Sequence, residues 1–514
     1  MNTETAAIIL LNCESSGAAS AYADSSSDPV TISSHGREVI VISDLHIAAG
    51  KRKDGVFSGT ENFLADASFR RFVEIGLLKE PKKKALLIIN GDFIDFIRIV
   101  RVPASEAELL AWQHILSSLG VNKTIDELRA SVSKKEIEYG LKTDDYKSVW
   151  KLSASVAGHP EIFQSLAKWI DSGHSLIITK GNHDLEWYWL LVRNYLRLVL
   201  AEHIAESRAL PVEQILAEVV LPAVTFVDKS LLIDGDCYVE HGHCFDKFSS
   251  VVGAILLKKR SELNIPFGSF FNRYLINKIE LSYPYIDNVR PQQSMLSFLV
   301  REHFPLALKL LFYHLPFGLK MIRKRYFAFM FGMPALFVLA IGVPVLVVAI
   351  QLFDIVSPLL SSSSSETSTA GTPVSGFVLR QGIGVLRDLG GIVGSGIVSY
   401  WLGRFVAWFR LREPNSLAED AKSLLMNHSE YRIVTFGHTH NPEQLEENGR
   451  WYFNTGTWIP ILEASSAEIR HDKTYTFLRL APDERGRLQP TSLQRWNDDA
   501  ERMEPLSLVE RITI

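Results

Sequence analysis

Seven residues of three types fall at the ends of apolar runs, in an order suited to holding two metal ions. Asp44 and His46 are two apart after the run 38–43. Asp92 follows Gly91 after 85–90, and Asn182 follows Gly181 after 175–180. His241 ends 237–240, and His438 and His440 lie two apart after 432–436. A hydrolase with two cations needs a bridging carboxylate between them, and imidazoles and an amide fill the outer positions. Such a pair lowers the pKa of a bridging water and clamps phosphate oxygens for in-line attack. Asp92 suits the bridge, since the glycine before it allows close backbone approach. The donors suit Mn²⁺, with Fe or Zn²⁺ as further fits, better than Ca²⁺.

The blocks Asp44-Leu45-His46, Gly91-Asp92, Gly181-Asn182-His183-Asp184, His241 and Gly437-His438-Thr439-His440 resemble the calcineurin-like metallophosphoesterase family in type and order. Asn454-Thr455-Gly456-Thr457 is similar to that family's Asn-x-Gly-Ser turn. The resemblance implies a four-layer αββα metallophosphoesterase sandwich and a phosphoesterase activity with two divalent metal ions. It assigns Asp44, His46, Asp92 and His440 to one metal. Asp92, Asn182, His241 and His438 go to the other. His183 protonates the leaving oxygen or stabilises the phosphoryl charge, and Asp184 orients His183. The spacing of the later blocks is distantly similar to UDP-2,3-diacylglucosamine pyrophosphohydrolases, in which an amphipathic helical cap follows the fifth ligand. The chain departs from those enzymes at His183, where they carry Arg, at His243, where they carry Asp, and in its long insertion.

The elements that must position these residues are strands. The first three runs are apolar on both faces, as buried sheet strands are, and helical segments at 67–78 and 161–172 lie between them. That alternation predicts an α/β layered fold. The domain reading is a disordered tail over 1–36, then the catalytic domain's first part over 37–244 with a helical insertion at 97–158. A helical cap covers 245–304 and a membrane-associated hairpin 305–412. The catalytic domain resumes over 413–490, and 491–514 is a C-terminal tail.

The hairpin is expected because the uncharged run 327–353 is long enough, at about 1.5 Å per residue, to cross a bilayer of roughly 30 Å. Ligand candidates on both sides of the insertion require both flanks on one face. Lys320, Arg323, Lys324, Arg325, Arg404, Arg410 and Arg412 put that face in the cytoplasm. A lipid-linked phosphate or pyrophosphate is then the favoured substrate. A tethered hydrolase of soluble nucleotides or phosphoproteins competes with it, as does a non-enzymatic membrane scaffold with a relic site.

Composition narrows the rest. A net charge of -4 argues against a broad nucleic-acid footprint. Three cysteines without a CxxC pair indicate neither a disulfide framework nor a zinc finger. The short apolar run 6–11 has no basic residue before it, so no secretory signal is expected. Asp95 reads as a turn cap, and His159, His174 and His203 as satisfied polar residues. His243 reads equally as a support or a pocket wall. Trp187, Tyr188 and Trp189 read as core, and Lys258-Lys259-Arg260 as a solvated face.

Overall fold

The computed structural model describes residues 28–52, 54–79, 84–257, 261–281, 288–290, 304–305, 416–463 and 469–506. The chain divides into two units, Met1–Leu310 with Glu413–Ile514, and Leu311–Arg412. The second unit lies wholly outside the described residues.

In chain order the strands are β1 (Val30–Ile32), β2 (Val39–Ile42), β3 (Leu86–Asn90), β4 (Ser175–Thr179), β5 (Val224–Val227), β6 (Ser230–Ile233), β7 (Cys237–Glu240) and β8 (Val289–Arg290). After the insertion come β9 (Ile433–Phe436), β10 (Glu443–Glu447), β11 (Arg450–Asn454), β12 (Leu462–Glu463), β13 (Thr476–Pro482), β14 (Leu488–Pro490), β15 (Gln494–Asn497) and β16 (Arg502–Pro505). They form one six-stranded sheet, β1-β6-β7-β9-β11-β10, and one eight-stranded sheet, β16-β15-β13-β2-β3-β4-β5 with β14 on β13. β8 and β12 pair as a separate ribbon.

Side-chain alternation explains why the central strands are apolar throughout. Val39 and Val41 of β2, Leu86 and Ile88 of β3 and Ile177 of β4 face Leu231, Ile233, Val239, Ile433 and Phe453 of the other sheet. Ile40, Ile42, Leu87, Ile89, Leu176 and Ile178 point the opposite way, into helices that include Pro160–Asp171 and Leu190–Arg208. A strand buried on both faces has no polar side to show. The six-stranded sheet turns Tyr238, Val434, Phe436 and Tyr452 toward Leu417, Ala421 and Leu425 of the segment containing helix Ala418–Asn427. The layers therefore run helices, sheet, sheet, helix.

The membrane hairpin expected over 305–412 is not supported. No helix among the described residues is long and apolar enough to cross a membrane. The longest of those helices, Leu190–Arg208, carries Arg193, Arg197, Glu202, Glu206 and Arg208 along its length, and charges so spaced are costly in a bilayer. The run 327–353 that motivated the hairpin lies outside the described residues. The membrane association expected from that hairpin is likewise not supported among the described residues.

Two boundaries also shift. Val30–Ile32, within the expected tail, pairs in parallel with β6. Gln494–Asn497 and Arg502–Pro505, within the other expected tail, extend the larger sheet. Composition alone does not exclude either, since a short edge strand needs only a few residues with a neighbouring backbone to bond.

The loop that follows β2 is fixed from below by a buried acid–imidazole cluster. Glu61 accepts from the backbone N–H groups of Ala48, Gly50 and Phe63. His159 bridges Asp66 (2.9 Å) and Glu61 (3.1 Å). Burial alone would lower the pKa of His159, but its bonds to Asp66 and Glu61 push it up to about 9 from an ordinary 6.5. A raised folded-state pKa gives stability that is complete below pH 6.5 and lost as the pH rises through 9. The shift corresponds to about 3 kcal/mol. The stability gap between wild type and His159→Gln, read from denaturant unfolding, is therefore expected to narrow by about that amount between pH 6 and pH 10. A gap independent of pH would show that the ring is neutral in the folded protein.

Candidate metal centre

The seven ligand candidates come from loops at the carboxyl ends of five strands, β2, β3 and β4 of the larger sheet and β7 and β9 of the smaller. Both sheets deliver their strand ends to the same edge of the sandwich, which brings residues almost 400 positions apart into contact: His46 Nε2 lies 2.9 Å from His440 Nε2.

Backbone conformation singles out these loops before any side chain is considered. Asp44, His46, Asp92, His438 and His440 all have positive φ, between 49° and 69°. A left-handed non-glycine residue costs roughly 1–3 kcal/mol and persists where the surroundings over-determine it, most often at functional sites. The glycines answer to space. A Cβ on Gly91 would stand 2.5 Å from the His241 ring, and one on Gly181 would stand 2.1 Å from Asp92 Oδ1.

Two donor groups result, each with its ligand atoms within 4.8 Å of one another: Asp44, His46 and His440, and Asp92, His241 and His438. Donors around one octahedral cation stand roughly 3–4 Å apart, given metal–ligand distances of about 2.1 Å, so each group has the dimensions of a coordination shell. Asp92 touches both. Its Oδ2 is 3.2 Å from His241 Nε2 and 3.6 Å from His46 Nε2, the place of a bridging carboxylate. Asp44 Oδ1 lies 3.3 Å from His440 Nε2, 3.7 Å from His46 Nε2 and 4.0 Å from His241 Nε2.

The chemistry of these atoms fits cations. Asp44 Oδ1, His241 Nε2 and Asn182 Oδ1 are buried and have no hydrogen-bond partner, a costly arrangement for polar atoms unless something binds there. Asn182 is 4 % exposed and stands between Gly181, which abuts Asp92, and His183, whose N–H donates to Asp92 Oδ1 at 2.8 Å. Electrostatics agree. Burial would raise Asp44 and Asp92, yet the imidazoles around them, His241 foremost, hold both well below the usual carboxylate range. Burial would lower His241, yet Asp92 and Asp44 push it up to about 9.

The atoms behind the ligands orient them. Asn90 O accepts from His241 Nδ1 at 2.8 Å, leaving Nε2 for the centre. Asp246 Oδ2 lies 3.1 Å from His438 Nε2, leaving Nδ1 as the donor for a cation. Thr457 Oγ1 donates to Asp44 O, and Asn454 Nδ2 donates to Gly437 O. The turn 454–457 thus braces the first and last ligand loops together.

Asp95 is more than a turn cap. It accepts from the N–H groups of Ile97 and Arg98 through Oδ1, as a cap would. Its Oδ2, however, meets His183 Nδ1 at 2.8 Å and His46 Nδ1 at 3.1 Å. It therefore orients both a ligand and the candidate acid. The further grouping of His46, Asp95 and His183 is this support, since the His46 ring spends its other nitrogen on the centre. Burial would lower His183, but Asp95 and Asp92 raise it above the ordinary value. A signal for Asp95 stood in the sequence: a carboxylate amid Phe93, Ile94, Phe96 and Ile97 has no solvated face to cap.

Asp184 does not hold the His183 ring. Its carboxylate accepts from the N–H groups of Gly181 and Phe93 and from Trp187 Nε1, so it shapes the ligand loop instead. His183 turns its Nδ1 away, toward Asp95. His243 is buried, with its ring centroid 5.4 Å from that of His241, and belongs to neither donor group. Trp187 packs against Phe93, Phe96 and Phe226 in the core, and Trp189 Nε1 donates to Thr143 O. His174 Nδ1 accepts from the N–H of Ala85. Residues 258–260 lie outside the described residues. Asp246 carried no local signal; only the fold brings it to His438.

No family model matches the chain, and no curated protein matches it significantly.

Proposed function

We propose that this protein is a metal-dependent phosphoesterase, hydrolysing a phosphate ester or pyrophosphate at a site built like that of the calcineurin-like metallophosphoesterases. The observation that carries the reading is the pair of abutting donor groups, with Asp92 in contact with both and with His183 beside it. Mn²⁺ is the first fit for these donors, and Fe or Zn²⁺ the others.

Bound there, two divalent cations would neutralise phosphoryl oxygens and acidify water. The chain's own residues do the rest. Asp44, His46 and His440 would hold one cation, Asn182, His241 and His438 the other, with Asp92 in reach of both. Rigid strand ends fix their spacing, so little reorganisation is needed as charge develops. Asp95 on Nδ1 of His183 favours the protonated ring and leaves the Nε2 proton to be given to the departing oxygen.

The test is metal content together with a panel of one phosphomonoester, one phosphodiester and one pyrophosphate. About two metals per chain are expected, with hydrolysis of at least one class. Chelation should remove the activity and Mn²⁺ restore it. A protein that holds two metals and hydrolyses no member of the panel would overturn the proposal.

A further inference from the structure

Behind Asp95 a line of buried charges leads out of the centre to a segment far along the chain. Arg98 Nε lies 3.0 Å from Asp95 Oδ2. The Arg98 guanidinium pairs in turn with Glu280 Oε2. Arg98 is 2 % exposed and Glu280 is fully buried. Glu280 ends the helical stretch that starts at Phe267, in the region expected to cap the site. The same stretch makes two more bonds to the ligand loops. Ser269 Oγ donates to Asn182 O at 3.0 Å, and Asn277 Nδ2 donates to Ile97 O at 2.8 Å.

We propose that Arg98 and Glu280 are positioning residues, which fix Asp95 and through it the His183 and His46 rings, so that the seating of residues 267–281 completes the catalytic centre. The activity side of this inference rests on the function proposed above; its metal-binding side does not. Asp95 Oδ2 is shared by two imidazoles and a guanidinium. Glu280 draws the guanidinium outward and so settles how that oxygen is divided. Without it, the buried guanidinium loses one of its acidic partners, and a change in buried charge balance rearranges its neighbours. The carboxylate would turn toward Arg98 and loosen both rings. Losing an outer partner of this kind typically costs about 10–100-fold in metal affinity or activity.

The experiment uses the full chain stripped of metal, calorimetric titration with Mn²⁺, and hydrolysis of bis(p-nitrophenyl) phosphate by the reloaded protein. In Glu280→Gln, kcat should fall about 10–100-fold with KM within about twofold. Mn²⁺ affinity should weaken at one of two sites, the one to which His46 belongs. Arg98→Lys keeps the charge but loses the planar fork, and should show the same two losses; it serves if Glu280→Gln does not fold. A merely structural role would lower the melting temperature and leave kcat and both affinities unchanged in the folded variant, and that result would overturn the proposal. If the wild type hydrolyses no phosphoester, the proposed function fails, while the Mn²⁺ titrations still decide this inference.

Discussion

Asp92→Asn should lose metal-stimulated hydrolysis by at least about a thousandfold, the equivalent of roughly 4 kcal/mol of charge stabilisation in the transition state. Asp92 Oδ2 is within reach of imidazoles from both donor groups. Asparagine keeps the size and the acceptor that receives the His183 N–H at 2.8 Å, so the loops need not move. What it removes is the charge. Asp44 is then the one carboxylate left among the seven ligands to offset two dications. Metal content should accordingly fall from about two to one or fewer per chain, measured by elemental analysis beside the kinetics. A variant with both metals and wild-type turnover would refute the assignment of the centre.

His183→Ala should separate catalysis from metal binding. Its Nδ1 is taken by Asp95 and it belongs to neither donor group, so metal content should stay at the wild-type level. Turnover should fall by about 10²–10⁴, the usual contribution of a positioned acid. The loss should depend on the leaving group. A p-nitrophenolate departs readily without a proton, whereas an alkoxide does not, so alkyl esters should suffer more. An equal loss for both would show that His183 stabilises charge on the phosphoryl group instead of protonating the leaving oxygen. Asp95→Asn should give a smaller loss of the same pattern, with weaker metal binding added, because Asp95 also meets His46.

The candidate donors and the strands that carry them were legible in the sequence because their signals are local. A β-branched run followed at once by Asp-x-His, Gly-Asp or Gly-Asn predicts a strand with a donor at its end, and each such run is a strand here. Two-sided burial was legible for the same reason: β2, β3 and β4 show no polar alternation because one face meets the opposite sheet and the other meets helices. Asp184 misled because adjacency to His183 in the chain says nothing about where either side chain turns in a loop. The expected hairpin rests on an apolar run, which measures only hydrophobicity and length, and no helix among the described residues is long and apolar enough to cross a membrane.

The sequence by itself therefore determined the donor types, their order and the strands that carry them. The tertiary structure decided how they are shared out and what stands behind them. It made Asp92 the contact between the two groups, gave His183 to Asp95, and set Asp246 on His438. It also buried Glu280 against Arg98 and drew β1, β15 and β16 into the sheets. The physical reason is range. A strand and its loop are set by neighbours a few residues away, whereas a buried ion pair or an edge strand exists only once the fold has brought a distant partner within about 3 Å.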